Sequence, residues 1–216
     1  ARLWDISSGE EVQAFEHSTW VYSVAFFPDG KNILTWTKNA TIWDIDTGME
    51  VRTCGEEATG AISVDFSPDG RYLLTASAEQ VVARLWDVAS GTTVRTFSGH
   101  TDSVDAVAFS ADGLYVLTGS PDRTAKLWEA AGSTTVRTFH GHTDVVESVT
   151  FSPDGKYILT GSDDSTARLW DTAELSVVRI FNGHPEGILG VTFSRDGKYV
   201  LTASLVAGPA QGTLSL

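Results

Sequence analysis

Residues 136–171 read VRTFHGHTDVVESVTFSPDGKYILTGSDDSTARLWD, and this stretch sets the plan of the chain. Val136 to Phe139 reads as a short strand, stopped by His140-Gly141-His142. Val146 to Phe151 is mostly apolar and β-branched, the composition of a strand covered on both faces. Ser152-Pro153-Asp154-Gly155 supplies a tight turn, because proline presets φ and glycine accepts a positive one. Tyr157 to Gly161 follows, then the polar turn Ser162-Asp163-Asp164-Ser165, then a strand over Thr166 to Trp170. No stretch shows an amphipathic helical period of useful length, so the expected class is all-β.

Outward from this stretch the same pattern recurs. Trp-Asp or Trp-Glu pairs begin at Trp4, Trp43, Trp86, Trp128 and Trp170, at intervals of 39, 43, 42 and 42. The turn aspartates Asp29, Asp69, Asp112, Asp154 and Asp196 are spaced 40, 43, 42 and 42. Two independent markers therefore give one period. A unit of this length, opening on Gly-His and closing on Trp-Asp, is the repeat of a propeller blade, which gains stability by stacking on its neighbours.

On these motifs the chain resembles the WD-repeat β-propeller family, and the likeness covers roughly residues 1–204. Gly-His, Pro-Asp-Gly, the Ser-Asp-Asp turn and Trp-Asp recur in fixed order; a lone Trp-Asp pair would carry no weight. The resemblance implies a β-propeller of four-stranded antiparallel blades, about five in this chain. Residues 205–216 lack a Trp-Asp pair and form a divergent tail.

The repeats are uneven. The first has Glu16 in place of glycine and a shortened second turn, Thr37-Lys38-Asn39. The second has Gly55-Glu56-Glu57-Ala58 where the histidine belongs, and Ala78-Glu79-Gln80 where the Asp turn belongs. The third and fourth are regular, and the fifth stops after Val200 to Ser204. The sequence thus finishes after the second strand of a blade and starts, in mid-motif, at the third; Val12 to Phe15 reads as a fourth. If the ring closes, residues 1–15 complete the fifth blade and remove the open sheet edges. Family members more often have seven blades, so an open arc, or a piece of a larger ring, is the alternative.

The resemblance also assigns a structural tetrad of His, Ser or Thr, Asp and Trp to each regular repeat. These are His100, Thr118, Asp122 and Trp128 in the third, and His142, Thr160, Asp164 and Trp170 in the fourth. Partial sets are His17, Thr35 and Trp43; Thr75 and Trp86; and His184 and Thr202, with Trp4 the candidate to serve them across the closure. The physical reason is that a buried Asp needs donors and a buried indole N–H needs an acceptor. Successive histidines fall on different blades, which argues against a shared metal. The Asp-Gly turns lack the ligand run of a calcium loop. No phosphate cradle, nucleophile elbow or zinc pair is present, so neither enzyme chemistry nor a cofactor is expected.

Positions just after each histidine are free of the motif. They carry Asp102, Asp105, Asp144, Glu147 and Glu186 in the later repeats, and Trp20 and Tyr22 in the first. They fall at the mouth of the innermost strand, on the face that WD-repeat proteins commonly use for partners. Acids beside aromatics there suit a Lys- or Arg-bearing peptide; solvated loop charge is the plainer alternative.

Composition fits this reading. A formal net charge of −13 opposes binding a phosphate backbone and favours basic protein faces, though acid also keeps a large β surface soluble. Hydrophobic content of 42% with mean hydropathy near zero is ordinary for a globular domain. No apolar run reaches the ~18 residues of a membrane helix. The single cysteine, Cys54, reads as a small buried hydrophobe on an outer strand, and a cytoplasmic, reducing setting is expected. The expected function is a non-enzymatic interaction scaffold. The alternatives are a piece of a larger regulatory protein without activity of its own, or a channel-centred hydrolase.

Overall fold

A computed structural model describes residues 1–54, 61–132, 135–174 and 176–204, with only the backbone described at 61–62. The tail at 205–216 and the loop at 55–58 lie outside the described residues. Every regular element among them is a strand, twenty in all. Among the described residues no helix is long and apolar enough to cross a membrane.

Four sheets are complete, each an antiparallel meander in chain order. They comprise β3 (Ser23–Phe26), β4 (Asn32–Trp36), β5 (Ala40–Asp44) and β6 (Glu50–Cys54); then β7 (Ala61–Phe66), β8 (Tyr72–Ser77), β9 (Val82–Asp87) and β10 (Thr92–Ser98). The third holds β11 (Ala106–Phe109), β12 (Tyr115–Gly119), β13 (Thr124–Glu129) and β14 (Thr135–His140). The fourth holds β15 (Val146–Phe151), β16 (Tyr157–Ser162), β17 (Ala167–Asp171) and β18 (Val177–Phe181). Two-stranded ladders flank them: β1 (Arg2–Trp4) with β2 (Glu11–Ala14), and β19 (Ile188–Phe193) with β20 (Val200–Ser204). The architecture is a propeller of about five blades, the fifth supplied as two halves. Those halves stand as separate ladders, so the closure considered from the sequence is not made.

The Trp-Asp pairs have a local reason. Each third strand shifts register against its outer partner at the tryptophan, as at Ile42/Trp43, Leu127/Trp128 and Leu169/Trp170. Such a bulge re-aims the side chain, here into the blade. The carboxylate that follows caps the next turn: Asp44 accepts the Thr47 N–H at 2.8 Å, and Asp87 accepts the Ser90 N–H at 2.8 Å. The Asp-Gly turns work similarly, Asp154 accepting the Ser152 hydroxyl at 2.7 Å and the Lys156 N–H at 3.1 Å. Gly155 there has φ of +70°, a conformation costly for other residues.

The core lies between successive sheets. The second strand of each sheet gives a fully buried leucine to a cluster shared with the next inner strand. Leu34 joins Val64 and Phe66, Leu74 joins Val107 and Phe109, and Leu117 joins Val149 and Phe151. Leu159 joins Val191 and Phe193. Cys54 sits at the outer-strand position that Phe15, Phe97 and Phe139 occupy elsewhere, and is as buried as they are. Burial pushes its thiol up, away from reactivity.

Candidate functional site

Thr118 is the pivot of the most regular polar cluster. The Trp128 indole N–H donates to its Oγ1 at 2.9 Å, which leaves the hydroxyl proton for His100 Nε2 at 2.7 Å. His100 Nδ1–H then donates to Asp122 Oδ2 at 2.7 Å. One direction of donation satisfies every group, so the network assigns a neutral imidazole protonated on Nδ1. The fourth repeat repeats the chain of bonds: Trp170 to Thr160 at 2.9 Å, Thr160 to His142 at 2.6 Å, His142 to Asp164 at 2.8 Å.

The electrostatics follow from burial and bonding. Burial holds both imidazoles below their ordinary value and outweighs the adjacent carboxylates. Burial alone would raise Asp122 and Asp164. Donors reverse the sign: Thr124, the Thr101 N–H and His100 for Asp122, and Thr166, His142 and the Thr143 N–H for Asp164, which falls to about 2. These groups tie the inner loop to the second and third strands. Each candidate nucleophile or base is thereby already engaged; Thr118 and Thr160 are wholly buried.

The partial sets differ. Thr35 binds His17 Nε2 at 2.7 Å and accepts the Trp43 indole N–H at 2.8 Å. Thr75 accepts the Trp86 indole N–H at 3.0 Å. His184 binds Thr202 at 2.7 Å through Nε2, and the Ser204 hydroxyl takes the aspartate's place at Nδ1 at 2.8 Å. Trp4 does not serve this pair. Its strand is separated from β20 and its side chain is 55% exposed, because the two half-sheets do not join.

At the mouth of the inner strands, the structure gathers acids. Asp105 is half-buried, accepts the Ser103 hydroxyl at 2.9 Å, and is raised by burial and by the charge of Asp102. Glu147, also half-buried, is raised by burial, then by Asp163 and Asp105. Asp163 is raised by burial, then by Asp144 and Asp164. These groups therefore sense one another across two blades, and none of Asp102, Asp105, Asp144, Glu147 and Asp163 is in an ion pair among the described residues. Glu186 is exposed on the next loop. Trp20 and Tyr22 are 83% and 64% exposed, but on the first complete sheet, where Trp20 helps line an open depression of about 540 Å³. The sheet β7–β10 packs between β3 and β11, so these aromatics and Asp105 precede strands of different, non-neighbouring sheets. No group of three His, Cys, Asp or Glu with metal-holding geometry occurs among the described residues.

Sequence reading missed three residues. Asp163 reads as a turn residue in the sequence; its acidic neighbours Asp144 and Glu147 come from the other loop of the same repeat, brought beside it by the β15–β16 pairing. Asp65 accepts the Phe109 N–H at 2.7 Å and the Phe66 N–H at 2.8 Å, tying β7 to β11. Its signal was an acid in an inner strand where other repeats have Ala or Thr. Trp36 occupies the position of Gly119 and Gly161, is fully buried, and has no partner for its indole N–H among the described residues.

The family model described as WD domain, G-beta repeat matches the chain over residues 9–44, 48–87, 91–129, 133–171 and 175–205. The first four matches each end on the carboxylate after a bulged tryptophan, at the boundaries that the sequence period marks.

Proposed function

Because the chain belongs to the WD-repeat family, whose members are generally non-enzymatic protein-interaction scaffolds, we propose that it presents its acidic inner-strand mouth to a Lys- or Arg-bearing peptide. The observation that carries this is a set of carboxylates on neighbouring loops, raised first by burial and then by one another's charge, with no ion pair to a cation among the described residues. A peptide ammonium or guanidinium would remove that repulsion while staying partly desolvated. Asp105 and Glu147 are the central contacts, Asp102, Asp144 and Asp163 the surrounding ones. Trp20 and Tyr22 offer a separate aromatic surface on the first sheet. The neutral, fully engaged histidines hold the loops that carry the acids. The lone buried cysteine suits a reducing, cytoplasmic setting.

The test is a titration of a labelled Lys/Arg-rich peptide library against the parent chain and an Asp105→Lys/Glu147→Lys variant. Selected peptides are expected to bind the parent, weaken as salt rises, and bind the variant at least ~30-fold less tightly, the scale of truncating close charge pairs. Equal binding by the two proteins removes the acidic face from the proposal.

A further inference from the structure

The tight turns that join the first and second strands pack on one another from sheet to sheet. A proline in one turn covers the glycine of the next. A Cβ on Gly70 would meet Pro28 at 3.5 Å, one on Gly113 would meet Pro68 at 3.3 Å, and one on Gly197 would meet Pro153 at 3.7 Å. The turn Ser110-Ala111-Asp112-Gly113 breaks the series, because Ala111 stands where that proline belongs. Gly155, in the following turn, accordingly has nothing among the described residues within 4 Å of a Cβ. The missing ring is felt further in. Among the complete sheets Phe66 and Phe109 are buried, whereas Phe151, at the same position, is only partly so.

A groove of about 350 Å³ opens beside Gly155, between the third and fourth sheets. Tyr115, Leu127 and Phe151 give it apolar walls, and Asp112, Asp154 and Arg137 its charges. It lies at the far end of the inner strands from the acidic mouth.

The same turn departs from the others a second time. Two residues after the turn aspartate stand Lys31, Arg71, Lys156 and Lys198, but Leu114 in the third repeat. Lys156 and Lys198 each lie 3.8 Å from their own aspartates. Asp112 has no ion pair among the described residues, and Leu114 is 62% exposed. The Ser110 hydroxyl and the Leu114 N–H donate to Asp112 Oδ1 at 2.6 and 2.9 Å. These bonds hold the carboxyl below its ordinary value, and so ionised. One turn therefore lacks both the apolar ring and the cation that other turns supply from within the chain.

We propose that this groove binds an extended segment of a partner protein that carries both, a proline beside a lysine or arginine. The proline ring takes the place that Pro28, Pro68 and Pro153 fill at the other junctions, against Gly155 and Phe151. The neighbouring cation pairs with Asp112, which has none of its own. Arg137 donates to the segment's carbonyls, which a polyproline-type backbone leaves unbonded. Such a segment is held in shape before it binds, so little ordering entropy opposes it.

Fluorescence anisotropy with three short labelled peptides tests this. The first carries two prolines between arginines, the second has alanines in place of the prolines, and the third has glutamines in place of the arginines. The parent chain should bind the first with a Kd below about 1 mM, and the alanine peptide roughly tenfold less tightly or worse. Ala111→Pro restores the internal filler. It should keep or raise Tm and bind the first peptide roughly tenfold less tightly or worse. Leu114→Lys restores the cation; it should weaken the first peptide roughly threefold to tenfold and leave the weaker binding of the glutamine peptide unchanged. Because Leu114 is exposed, this variant decides the matter should Ala111→Pro fold poorly. The Asp105→Lys/Glu147→Lys variant should bind the first peptide as the parent does; loss of binding there assigns the peptide to the acidic mouth and overturns the groove. So does a parent that fails to bind the first peptide, equal binding of the alanine peptide, or a folded Ala111→Pro or Leu114→Lys that binds as the parent does.

Discussion

The threonine hydroxyl at the centre of each tetrad accepts one proton and gives one, so its loss orphans two partners at once. Thr160→Val keeps the shape but leaves the Trp170 indole N–H and His142 Nε2 without their bonds. The expected cost is about 1–3 kcal/mol by denaturant unfolding. Trp170→Ala adds a cavity to the same loss and should cost about 3–5 kcal/mol. Trp20→Ala, at an exposed position, should change stability by less than about 0.5 kcal/mol. If Trp170→Ala proves no worse than Trp20→Ala, the tetrad is not structural. The acids behave oppositely. The folded state raises Glu147, so its charged form opposes folding wherever the group is ionised in both states. Glu147→Gln should therefore raise Tm at neutral pH. The gain should vanish below the ordinary value of 4.5, where the parent carboxyl is protonated folded or unfolded. A gain that is independent of pH would mean that packing is responsible.

At the scale of the strand, small residues mark where sheets approach. Gly161 in β16 meets Ile188 and Val191 so closely that Gly161→Ala should cost about 1–3 kcal/mol. Gly190 in β19 is the control: its nearest neighbour would be the Ala203 methyl at 3.9 Å, so Gly190→Ala should be near neutral by the same unfolding measurement. Equal costs would show that the close approach to Ile188 and Val191 does not set the penalty. Strand identity was legible because period-two patterning and turn residues are local: β15 spans the residues its sequence pattern marks, and β16 extends one residue further. What Trp36 does was not legible. A tryptophan where other repeats carry glycine or alanine reads as a strand residue in either case, and its effect depends on a sheet some thirty residues later in sequence.

The whole molecule behaves as a short stack in which each sheet is stabilised mainly by its neighbours. That also explains why the period revealed the blades but not whether the ring closes: the motifs specify junctions between consecutive repeats, whereas closure concerns two distant surfaces that no local pattern couples. A one-dimensional stack predicts a gradient of local stability. The sheets β11–β14 and β15–β18 are flanked on both sides, so β12 and β16 should exchange their amide hydrogens only by near-global opening. The end ladders lack a neighbour on one side, and Trp4, Leu201 and Tyr199 remain largely in solvent. Amides of β1, β2 and β20 should therefore exchange fastest among the strands in dilute solution. A flat protection profile, with β1, β2 and β20 as slow as β12 and β16, would mean that the sheets do not depend on their neighbours.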